Sequence, residues 1–300
     1  GAGYRVLSFK HAAGSAVGMS VSTGLSMGAN DVSVSSSPNV QADAGGSSSE
    51  FNVRNMTVEA LTQKNAGRLN VDAYAASSAG GLLLGATSTQ TAATSNEVVK
   101  ARLTTGADVN ASGTVTVRAV SNITQQAEAN SAALGLVGAG ASNADAQSDT
   151  TIQAIVGNNA TIDADKLEII ADGTAKNTAE TTAGAGGLVS GAGAAPETDT
   201  KANVLARIND GAVVTLQSGV GSLDVTASHL ARPNTFVVTD SYGLIAGSGA
   251  VAVNEVDADV TIDIGTDDAD GSGATVTAKT IALNATNTVT KSAPPDVNIE

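Results

Sequence analysis

The side chains best placed to do chemistry in this chain are carboxylates near its C-terminal end. Val256, Ala258, Val260, Ile262 and Ile264 alternate with polar positions, which puts Glu255, Asp257, Asp259 and Asp263 on the opposite face of a strand. A loop carrying Asp267, Asp268 and Asp270 follows, ending in the string Asp268-x-Asp270-Gly271. Oxygen ligands at that spacing suit a hard cation, so Asp267, Asp268 and Asp270 are the candidate calcium ligands. The rest of a calcium loop, with its terminal bidentate Glu, is missing, and a solvated acidic face is the plainer reading.

Other chemistry lacks its parts. The only histidines, His11 and His229, stand in different repeat phases, so a Ser-His-Asp relay or a His-based metal centre is not expected, and without cysteine there is no thiolate site or disulfide framework. Gly247-Ser248-Gly249-Ala250-Val251-Ala252 matches the dinucleotide fingerprint G-x-G-x-x-A. That fingerprint works only with a helix N-terminus behind it, whereas residues 251–264 alternate like a strand. Related Gly/Ala strings begin at Gly138 and Gly191, so these glycines are assigned to close backbone packing or strand bending. Paired carboxylates could serve a polysaccharide-cleaving enzyme, but 3 Phe, 3 Tyr and no Trp leave a carbohydrate groove without platforms. No enzymatic activity is expected, and no cofactor beyond calcium is implied.

A second candidate surface is apolar. Leu82, Leu83 and Leu84, then Leu136-Val137, Leu188-Val189 and Leu244-Ile245, put apolar residues at consecutive positions beside glycine. Neighbours on a strand point to opposite sides, so either this strand is buried on both faces of a wide coil or one face presents an exposed apolar ladder. Leu83, Leu136, Val189 and Ile245 are the candidate assembly residues, facing sister filaments or another partner surface.

The elements that hold these residues recur along the whole chain. An alternating strand starts at Met56, Val115, Leu167, Leu223 and Ile281, in steps of 59, 52, 56 and 58 residues. A Gly-rich apolar stretch follows, with reference glycines Gly28, Gly85, Gly138, Gly191 and Gly247. Ala101, Ala154, Ala206 and Ile262 then mark a second alternating strand, 15 or 16 residues beyond those glycines. A turn and a short strand close each copy, as in Ala107-Asp108-Val109 and Ala160-Thr161-Ile162. Length variation falls after the strand that starts at Met56, between Ile264 and Ala274, and at residues 217–221, all turn-like places. Spacing that tight, with insertions confined to loops, predicts stacked equivalent coils. The copies run over residues 1–55 (divergent), 56–114, 115–166, 167–222, 223–280 and 281–300 (partial).

Composition supports an array over a globule. Apolar content is 42% of 300 residues, supplied mainly by Ala and Val, so a thick core of bulky side chains is not available. Charged residues make up 15% and regular alternation runs through most of the chain, which argues against disorder. A net charge of −14 without a basic block removes the electrostatic basis for binding nucleic acid or an anionic membrane. No apolar run is long enough to span a bilayer, and the first residues carry no signal pattern, so an export signal is expected outside this sequence.

The fold expected is therefore all-β, a parallel β-solenoid of repeats of 52 to 59 residues with few or no helices. A repeat could form three rungs of about 18 residues or one wide turn. The wide turn places Glu59 beside Arg118 and Arg207 beside Asp263, both complementary, but also Glu168 beside the like charge of Asp224; the balance leans to the wide turn.

Residues 115–119, 136–141 and 154–164 follow the style VTVTA … GLxGxGA … AxIGxGAxVxA. In this the chain resembles the repeat regions of large bacterial surface proteins, the filamentous-haemagglutinin-like and leukotoxin-like filamentous adhesins, over nearly its whole length. The resemblance implies secretion to the cell surface and a parallel β-helix, and transfers no binding residue. The expectation is a structural shaft or filament-forming segment. Its partners would be adjoining repeats, sister copies or a host or neighbouring cell surface. The competing expectation is a module whose outer faces bind glycans, cells or ice, for which residues 286–290 supply a short Thr ladder.

Overall fold

One repeat forms one turn. The computed structural model describes residues 2–9, 11–47, 49–63, 69–217, 220–265 and 273–291, and among them every regular element is a strand and none is a helix. In the third coil the chain runs out along Thr114–Leu134, reverses at residues 135–136 and returns along Val137–Val156. A turn then leads to the short strand Thr161–Ala164, after which the next coil begins at Lys166. The fourth coil repeats this with Lys166–Gly186, Val189–Ile208 and Val213–Leu216. The Gly-rich landmark and the second alternating strand are thus one continuous return strand.

Stacking the coils makes three parallel sheets: an outbound sheet of 8 strands, a return sheet of 7 and a cap sheet of 5. The register follows the strand starts, Met56 lying beside Val115, Val115 beside Leu167, Leu167 beside Leu223 and Leu223 beside Ile281, whereas the reference glycines slip, Gly138 lying beside Ser190 and Gly28 beside Thr87. The divergent N-terminal copy joins in the same register, with Ala2 beside Met56 and Leu25 beside Leu84. Wide turns are therefore correct and the three-rung alternative is not. The extra residues of the second coil fall between Met56–Gln63 and Val71–Gly81, after the first strand as expected.

The cross-section has two parts. At one end all three sheets enclose a base, where Val115, Val117, Ile152, Val156 and Ile162 of the third coil pack against Leu167, Ile169, Val204, Ile208 and Val214 of the fourth. Beyond it only the outbound and return strands continue, face to face, as a blade filled by Ala127, Ala129, Ala144, Ala146 and Ala179. At the neck between them Asn177 donates to Ser148 Oγ (2.9 Å), Thr200 Oγ1 (2.7 Å) and the Asp199 carbonyl (3.0 Å). Nearer the tip the two sheets approach until Ser131 and Ser142 bond across the blade at 2.9 Å. A Cβ on Gly138 would lie 2.6 Å from the Gly186 carbonyl oxygen, which fixes glycine there.

Turns and breaks obey backbone chemistry. Gly106, Asn159 and Gly211 take the same left-handed position before the cap strand, at φ 71°, 54° and 69°, and Asn is the side-chain residue that best tolerates it. Each turn closes by a bond across four residues, as from Ala212 N to the Asn209 carbonyl at 3.3 Å. The return strand of the fifth coil breaks between Ala250 and Val253, alongside Pro196. Ala194 turns its carbonyl to that coil, bonding Val251 N at 3.0 Å. Pro196, two residues on, faces the same way with no N–H to give.

Candidate functional site

The acidic strand is built as its alternation requires. In Val253–Ile264, Glu255, Asp257 and Asp259 are exposed on the outer face while Val256, Ala258, Val260 and Ile262 turn inward. The fourth coil supplies their neighbours: Asp199 beside Glu255, Lys201 beside Asp257 and Arg207 beside Asp263. Lys201 Nζ lies 2.8 Å from Asp199, and Arg207 lies 2.5 Å from Asp263. One column towards the tip, Asp145 sits beside Glu197. Burial pushes the Asp145 carboxyl up to about 6, helped by the charge of Glu197 and opposed by the hydrogen bond from Gln147. Among the described residues no group of three His, Asp or Glu side chains is arranged to hold a metal ion. Asp267, Asp268 and Asp270 lie outside the described residues.

Across the outbound sheet, charge is matched between coils. Arg118 reaches Glu59 at 2.9 Å. Glu168 does lie beside Asp224, yet Lys166 bridges both, at 2.8 and 2.6 Å. Those two hydrogen bonds raise the Lys166 pKa. Pairwise reading of facing residues saw the repulsion and missed the cation two residues away on the same face.

The two histidines stand apart. His11 Nδ1 is 2.7 Å from the Leu69 carbonyl. His229 points inward, 3% exposed, in the column of Gly173 and Asn287, and burial lowers its pKa. The fingerprint-like glycines lie in the strand Ile245–Ala250 with no helix behind them, but a Cβ on Gly247 or Gly249 would meet nothing within 4 Å, so close backbone packing does not explain these two.

The apolar residues meet at the tip of the blade. Leu83 and Leu136 belong to the apex column with Leu188 and Leu244, joined by backbone bonds such as Val137 N to the Leu83 carbonyl at 2.9 Å. Val189 and Ile245 belong to the adjoining column, with Leu25, Leu84 and Val137. These side chains are exposed: Leu83 54%, Leu136 50%, Val189 40% and Ile245 66%. The ladder is therefore on the surface, and burial on both faces does not occur. Leu134 at 63% and Tyr242 at 70% widen the ridge on the outbound side. Sequence reading missed them because they precede the turn glycine.

Beside the ridge, on the outer face of the return sheet, runs a shallow trough of about 570 Å³. Its floor is one column of small residues, Ser88, Ala141, Gly193 and Gly249, with Gln90, Asn143, Ala195 and Val251 along the far side. The signal for it was present in the sequence as a small residue four positions after each apolar pair. From the second to the fifth coil ridge and trough carry no formal charge: residues 75–96, 129–144, 181–196 and 241–254 contain no Asp, Glu, Lys or Arg, whereas in the first coil Asp31 stands in the column of Gln90.

With this geometry established, comparison with known proteins adds no assignment: no family model, no curated protein and no solved structure matches the chain.

Proposed function

We propose that the chain is a structural segment of a filamentous bacterial surface adhesin, exported to the cell exterior, where its coils form part of a shaft or fibre. The observation that carries this reading is the unbroken register of the repeats, each coil pairing its open edge with the next. Such an array grows by adding coils and leaves its outer faces free to vary. The outer columns do vary: Thr94, Gln147, Asp199 and Glu255 succeed one another in one column. That succession does not favour a glycan or ice face repeated along the stack.

Coil width refines the reading. A strand of 21 residues is about 70 Å long at about 3.3 Å per residue, while each coil rises only about 4.8 Å. Three short rungs per repeat would reach about three times further along the axis. The wide coil yields breadth instead of reach, and breadth suits lateral contact. Antibody raised against the chain should label fibres on intact producing cells. Labelling confined to the cell interior would overturn the assignment.

A further inference from the structure

We infer that the apolar ridge and its adjoining trough form a lap joint between two copies of this chain, the ridge of each lying in the trough of the other. This rests on the shaft reading and names its lateral partner. Ridge and trough lie side by side on one edge and both run along the stack. A two-fold axis parallel to the stack therefore brings each onto its counterpart, as a self-complementary contact requires. The partner must match an axial repeat of one coil over several coils, and another copy of the array does so without adjustment.

Charge selects this edge. The chain carries −14, so two copies repel wherever their acidic faces meet, but from the second to the fifth coil the edge described above is free of charged residues. The acidic columns begin just beyond the trough, at Asp145 and Glu197, and limit the overlap to the tip. An overlap about seven residues deep and about four coils high covers on the order of 400 Å² per copy. That is below the roughly 800 Å² of a standard stable interface. The isolated chain should accordingly pair weakly, and longer arrays more tightly, since each added coil extends the same contact.

The cysteine-free sequence makes the test direct. A Leu136→Cys chain mixed with an Ala141→Cys chain under mild oxidation should give a mixed disulfide dimer, exceeding that from Leu136→Cys mixed with an Asp257→Cys control on the acidic face. Sedimentation should show a monomer–dimer equilibrium that shifts at least several-fold toward dimer when salt is raised, because repulsion is screened while the apolar contact is not. Leu136→Ser with Leu188→Ser should abolish the dimer and leave the circular dichroism unchanged, both side chains being half exposed. Equal cross-linking at Asp257, or association weakened by salt, would overturn the joint. Surface labelling of producing cells is independent of pairing, so a failed joint and a failed shaft reading remain distinguishable.

Discussion

The base and the blade are made from the same two strands, yet they are stabilised differently. In the base three sheets leave room for Met56, Leu103, Ile162, Leu167, Ile169, Ile208 and Leu223, all fully enclosed. Burial of each such side chain contributes about 1.5–3 kcal/mol. In the blade of the third and fourth coils two sheets leave room chiefly for alanine, serine, threonine and glycine, each removing little apolar surface from water, while in the first coil Val32 and Val34 fill the space opposite Gly14. The blade is held by backbone ladders on either side and by short polar contacts such as Ser77 to Thr89 at 2.6 Å. One solenoid can thus be anchored by a conventional core at one edge and thinned to a sheet pair at the other, where from the second coil on its tip is uncharged and apolar.

The contrast is broken most directly by changing side-chain volume. Leu167→Ala empties space in the base and should cost about 2–5 kcal/mol, read as a lower midpoint in urea unfolding. In the third and fourth coils the blade cluster holds no apolar side chain larger than alanine to delete, so the informative change there is addition. Ala127→Leu forces a longer side chain between sheets that already meet through Ala127, Ala129, Ala144 and Ala146, and should cost about 1–3 kcal/mol. If Ala127→Leu were neutral, the blade would be loosely packed and the distinction between the two regions would fail.

A smaller effect separates backbone from side chain. Gly211 holds φ at 69° and Asn159 holds the equivalent position at 54°. Gly211→Ala should cost about 1–2 kcal/mol in unfolding free energy, the strain of a left-handed alanine. Asn159→Gly should stay within about 0.5 kcal/mol. A large loss from the second change would show that the Asn159 side chain, not its conformation, holds the base turn.

Much of this architecture was legible because the period was. The strand starts at Met56, Val115, Leu167, Leu223 and Ile281 are register partners in the structure, and the facing charges of Arg118 and Glu59 indicated the wide turn. The extent of the arms was harder to read. Residues such as Ala127, Ala129 and Ser131 alternate with Glu128 and Asn130, but an inward alanine or serine gives almost no contrast against a polar neighbour. The first copy hid for a related reason, with Gly14 and Gly18 standing in columns where the second coil has Ala73 and Ser77. Exposure of the tip was undecidable from sequence, since Leu83 and Leu136 read the same whether a second layer covers them or not.

The smallest expected effect sets the outer face of the blade against the interior. Asp145 titrates near 6, above its ordinary 3.8, because it is half-buried beside Glu197. The folded chain therefore holds that proton more tightly than the unfolded one, and stability falls as pH rises from about 4 to 6. His229 is shifted the other way: enclosure lowers it from 6.5, so its neutral form favours the fold and stability is lost as pH drops below that value. Asp145→Asn should stabilise the chain at pH 7 by no more than about 1 kcal/mol after solvent screening, and should steepen its loss of stability on acidification. His229→Asn, which extends the column begun by Asn287, should flatten that loss. Urea midpoints at pH 7, 5.5 and 4 check both, and parallel pH profiles for the two variants would show that neither group contributes to the slope.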